Sequence, residues 1–62
     1  MKPHQDMNAD ILLSLLNMAL RNHHDDLSRL CQFYQLDEVI ILEKLKHIGW
    51  RYNDKVNQFK QV

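Results

Sequence analysis

The side chains able to do chemistry are few, and their spacing limits what they can do. His23, His24, Asp25 and Asp26 stand in a row. All four are metal-ligand types. Adjacent residues rarely converge on one ion, however, and no HxxxH or CxxC supplies a spaced second pair. A solvated loop closed by a helix cap is the better reading of that run. His4 and His47 are isolated. Cys31 is the only cysteine, so no intrachain disulfide is available. A reactive thiol needs a neighbouring base or a helix N-terminus. Cys31 instead falls on an apolar helical stripe, as a small core residue would. No nucleophile, base and orienting group can be assembled, and no Gly-rich phosphate loop is present. The chain therefore reads as non-enzymatic, with no metal, no cofactor and no small-molecule substrate to assign.

Two further polar sets invite a binding role. Ser14, Asn17 and Arg21 recur at i, i+3 and i+7 as the one organised polar face of an otherwise apolar helix. They could meet a partner, or brace nearby backbone whose polar groups need partners; the bracing role is the stronger reading. Lys44, Arg51, Lys55 and Lys60 lie late in the chain, where a basic hairpin could touch phosphates. Asp37 and Glu38 oppose that use, because they stand at the start of the helix that would enter a groove.

The charge balance points the same way. Eight basic and eight acidic side chains cancel, which disfavours a strong nucleic-acid binder. The distribution is polar along the chain. Residues 1–43 carry three basic and seven acidic side chains, a net −4, and residues 44–62 carry five against one, a net +4. Such polarity can orient a partner or let copies of the chain attract each other. The apolar-rich run from Ile11 to Leu20 is too short and too interrupted to span a bilayer. The polar start and the lone cysteine fit a reducing cytoplasm.

These residues need elements to hold them. At 62 residues one domain is expected, of a size that is marginally stable. Residues 1–7 read as a flexible N-terminal tail, and 8–62 as a single helical domain. Asn8 can cap a first helix with apolar residues at 11, 12, 15, 16 and 19. Leu13 and Leu20 lie outside that face, either against the hairpin or on a self-association surface. Asp26 can cap a second helix with an inward stripe of Leu27, Leu30, Cys31 and Tyr34, leaving Phe33 beside it. Gln35, Leu36 and Asp37 make a tight turn. Asp37 caps a third helix facing inward with Ile41, Leu45 and Ile48, and Val39 and Ile40 lie off that face. Gly49 suits a left-handed helix end. Trp50 and Tyr52 then alternate with Arg51, Asn53 to Asn57 is turn-like, and Phe59 sits on a return strand. The ribbon's aromatics must close the core, because a two-stranded ribbon alone is unstable.

With these pieces placed, the chain resembles a family of very short bacterial proteins known only as a domain of unknown function. The matching pieces are Leu12–Ser14, Asn17–Asn22, Asp26–Cys31, Glu43–Leu45, Ile48–Tyr52 and Asn57–Phe59. The resemblance spans about residues 8 to 59. It implies a small cytosolic bacterial protein and carries no activity, ligand or catalytic residue. It also implies charged residues at positions 39 and 40, where this chain has Val39 and Ile40.

The expected fold is mainly α: a three-helix, helix-turn-helix-like bundle followed by a short C-terminal β-hairpin, a minimal winged helix. The expected function is a non-catalytic protein-interaction module that self-associates as a homodimer, through Leu13, Leu20, Phe33, Val39 and Ile40. The alternative is a DNA-binding regulator or accessory factor that uses the third helix and the hairpin.

Overall fold

The computed structural model describes residues 2–23 and 25–62. The first amides of a helix have no partner within it, so short helices need side-chain acceptors at their starts. Asn8 Oδ1 accepts from the Asp10 N–H at 2.9 Å and opens α1 (Ala9–His23). Asp26 Oδ1 accepts from the Arg29 N–H at 2.9 Å and opens α2 (Leu27–Tyr34). Asp37 Oδ1 accepts from Val39 at 3.0 Å and Ile40 at 3.4 Å and opens α3 (Glu38–Lys46). All three caps are those expected from the sequence.

The turn between α2 and α3 is built by a left-handed residue. Gln35 has φ 58°, the Leu36 N–H reaches back to the Cys31 carbonyl at 2.7 Å, and the Gln35 N–H reaches Gln32 at 3.2 Å. This pair of reversed bonds satisfies carbonyls that the helix end would orphan. Glycine usually fills such a position, and glutamine holds it at a steric cost. Gly49 takes φ +86° between α3 and the hairpin.

The hairpin pairs β1 (Trp50–Asn53) antiparallel with β2 (Gln58–Gln61), with Tyr52 opposite Phe59 and Arg51 opposite Lys60. The Tyr52 and Phe59 rings lie 5.6 Å apart, and Phe59 is buried with Leu12, Leu16, Ile41 and Leu45. Trp50 and Tyr52 pack on the same cluster. The chain is thus a small, mainly helical domain of three helices followed by an antiparallel hairpin, as the sequence implied.

The rotation of α1 differs from expectation. Its core face is Leu12, Leu16, Ala19 and Leu20. Leu20 is 1% exposed and Leu13 is half-buried against the core, so neither belongs to an open self-association surface. Ile11 is instead 49% exposed. The reason is the hairpin, which docks on the Asn17 flank of α1 and turns the buried arc towards positions 13 and 20.

Residues 2–7, read from the sequence as a tail, make contacts of their own. Pro3 is buried and Met7 packs on the core. Gln5 Oε1 accepts from the Asp37 N–H at 2.9 Å, and the Gln5 carbonyl accepts from Lys44 Nζ at 2.7 Å. In a capping box the cap's own amide is satisfied by a Glu or Gln three residues into the helix. Here that position is Ile40, and Gln5 supplies the missing acceptor from the other end of the chain.

Candidate functional site

The polar residues with defined geometry turn out to build the frame. On β2 the ladder alternation leaves the Phe59 N–H and carbonyl pointing away from β1. Asn17 meets both: its Oδ1 accepts from the Phe59 N–H at 2.7 Å, and its Nδ2 donates to the Phe59 carbonyl at 3.1 Å. Gln58 Nε2 donates to the Asn17 carbonyl at 3.0 Å. The carboxamide of α1 therefore acts as a short third strand for the inner edge of the hairpin. Of the proposed polar face, Asn17 braces backbone, while Ser14 and Arg21 remain exposed.

A second knot ties the hairpin turn to the α1–α2 connection. Asn57, at φ 54°, donates from Nδ2 to the carbonyls of Leu20 at 3.2 Å and Asp25 at 2.8 Å. Its Oδ1 accepts from the Tyr52 hydroxyl. Leu20 lies in the last turn of α1, where carbonyls lack helical partners. Burial pushes the Tyr52 hydroxyl pKa up, against a lowering bond from the Leu27 backbone, with Asp26, Asp54 and Glu38 adding to the rise. Gln5, Tyr52, Asn57 and Gln58 were not singled out as functional polar residues from the sequence. The signal for Tyr52, Asn57 and Gln58 is polar groups interleaved with the hairpin aromatics, whereas Gln5 stands far from them in sequence.

Cys31 is 2% exposed, and burial, with Glu38 and Asp37 nearby, pushes its thiol up to about 11. A thiol held protonated is a poor nucleophile. The metal reading of His23 and His24 rests on side chains that lie outside those described. Among the described residues, no group of three metal-ligand side chains is gathered. No helix among them is long and apolar enough to cross a membrane.

What remains open to a partner is surface. Phe33 is 73% exposed, Val39 68% and Ile40 44%. Phe33 stands just before the turn and Val39 just after its cap, and Phe33 borders a shallow groove lined by Asp25, Asp26, Ser28, Arg29 and Gln32. The exposed side of α3 is thus apolar and acidic in its first turn. On α1, Ile11 and Met18 are the exposed apolar residues. On the outer face of the hairpin, Arg51 and Lys60 are direct cross-strand partners, and Lys55 lies in the turn. Like charges directly opposite one another disfavour the pairing. Lys44, the fourth basic candidate, spends its ammonium on the Gln5 carbonyl. Among the described residues the acid–base side-chain contact within the chain is the His4 imidazole with the Asp6 carboxylate, at 3.7 Å.

The model of one family, described as a domain of unknown function (DUF4250), matches residues 6–59, and the chain belongs to that family. No curated protein and no solved structure matches the chain.

Proposed function

We propose that this member of the DUF4250 family is a non-catalytic protein-interaction module that self-associates in the cytoplasm. The observation that carries the reading is the exposure of large apolar side chains, Phe33, Val39 and Ile40 around the α2–α3 turn and Ile11 and Met18 on α1. Small monomeric domains expose such residues singly, whereas grouped ones mark contact surfaces. The polar side chains Asn17 and Asn57 are committed to the Phe59, Leu20 and Asp25 backbone. The −4 segment over residues 1–43 and the +4 segment over 44–62 supply mutual attraction between copies. Sedimentation equilibrium across micromolar to high-micromolar concentration tests the reading. A mass rising above the 7.5 kDa monomer is expected. A monomer throughout the range overturns it.

One observation favours a second reading, contact with duplex DNA through the hairpin. Arg51 and Lys60 face each other with no ion-pair partner among the described residues, and Lys55 is close by in sequence. That arrangement predicts binding that weakens steeply with salt and is lost when Lys55 and Lys60 become alanine. Absence of any duplex shift at low salt removes it.

A further inference from the structure

The outward side of α1 has a pattern that matches itself in reverse. Asp10, Ile11, Ser14, Met18 and Arg21 are all exposed, while Leu15 and Asn17 mark the half-buried edges of that face. Asp10 and Arg21 lie three turns apart, about 16 Å along the axis and within about 20° of rotation. Ile11 and Met18 lie two turns apart beside them. The midpoints of these two pairs differ by a single residue, about 1.5 Å. Ser14, small and exposed, sits near the middle.

We propose that a second copy of this chain docks on this face, with the two α1 helices antiparallel about a two-fold axis beside Ser14 and Leu15. The partner is another copy because the pattern is self-complementary. Reversal places Asp10 of one chain against Arg21 of the other, twice over, and Ile11 against Met18. A two-fold interface requires that kind of self-matching patch. Among the described residues neither Asp10 nor Arg21 has an ion-pair partner in its own chain. Both also suit the dipole of their own helix, which accounts for the charges but leaves the exposed Ile11 and Met18 unexplained. Small Ser14 lets the two backbones approach, and antiparallel packing sets the helix dipoles head to tail.

The inference rests on the self-association reading and names its surface and symmetry. It leaves the Phe33–Val39 surface outside the seam. The test is charge exchange at these two exposed positions of α1. Asp10→Arg and Arg21→Asp are made separately, with circular dichroism to confirm helix content. Each homodimer then meets like charges twice, and its dissociation constant is expected to rise about tenfold or more. Mixed one to one, the variants restore both opposite-charge pairs, and sedimentation should recover the dimer at twice 7.5 kDa. A Met18→Glu variant, which puts charge in the seam, should be monomeric, while the double variant Phe33→Ser, Val39→Ser should dimerise as wild type does. A wild-type monomer overturns both this seam and the self-association reading. A wild-type dimer that survives both charge variants, or singles that dissociate without recovery on mixing, overturns the seam alone. So does a dimer lost only in the Phe33, Val39 variant.

Discussion

Replacing Asn17 with alanine should remove more stability than any other exposed or half-buried polar change in this domain. The side chain makes two bonds to one peptide pair, at 2.7 and 3.1 Å, and Phe59 itself is 1% exposed. A buried donor or acceptor left without a partner costs about 1–3 kcal/mol. Asn17 is half-buried, so water reaches part of the vacated site, and the two losses together come to about 2–3 kcal/mol. A domain of this length has about 3–9 kcal/mol in total. The expected fall in Tm is roughly 10–20 °C, from about 4–8 °C per kcal/mol in small domains. Asn17→Asp separates the two bonds. Its carboxylate can accept from the Phe59 N–H but faces the Phe59 carbonyl with no proton to give. Protonation restores the donor, so folding raises the pKa of the new carboxyl. That contribution is present at pH below the unfolded value near 4 and is lost as pH rises through the folded value. Urea titration of both variants and wild type at pH 4 and pH 7 measures this. The Asn17→Asp deficit relative to wild type should be smaller at pH 4. An Asn17→Ala deficit under about 0.5 kcal/mol, the size of an ordinary surface change, would refute the reasoning. So would an Asn17→Asp deficit independent of pH.

Three further outcomes follow from the same geometry. Gln35 and Asn57 both adopt positive φ, yet glycine should act oppositely at the two. Gln35→Gly relieves backbone strain and should raise stability by about 0.5–1 kcal/mol, while Asn57→Gly strips the Leu20 and Asp25 carbonyls of a donor and should lower it by about 1–2 kcal/mol, both read by thermal melts. Stability should fall between pH 9 and 11, because the Cys31 thiol ionises near 9.0 when unfolded and only at about 11 when folded. The thiol's contribution is complete below 9 and is lost as pH rises to the folded value. It is of the order of 2 kcal/mol, with the raised Tyr52 hydroxyl acting in the same direction. Cys31→Ala should flatten that slope in urea titrations, and native Cys31 should resist iodoacetamide until the protein unfolds. Gln5→Ala removes the acceptor for the Asp37 amide, so hydrogen exchange at Asp37 should quicken while the Leu45 amide keeps its protection.

The hairpin shows how much of the frame was legible and where legibility stopped. Alternation of Trp50, Arg51 and Tyr52, with Phe59 returning, is local information, and the strands formed there. The caps Asn8, Asp26 and Asp37 were equally local, since a cap bonds amides two or three residues away. Leu13 and Leu20 were harder. A helix apolar round most of its circumference does not reveal which arc is buried, and the answer came from the hairpin docking through Asn17 and Asn57. Those bonds join residues 32 to 42 positions apart. The candidate surface was half legible for a similar reason: Phe33, Val39 and Ile40 broke their helices' stripes visibly, whereas Ile11 looked like part of one.

Local spacing in the sequence sets the element types, their order and the residue that caps the start of each helix. Those depend on spacing and on side chains acting within a turn of themselves. Only the tertiary structure decided which face of α1 is core, that Gln5 completes the α3 cap, and that Asn17 serves the inner edge of β2. Each of these is a contact between distant segments. Its energy comes from satisfying backbone groups that no local pattern marks as unsatisfied.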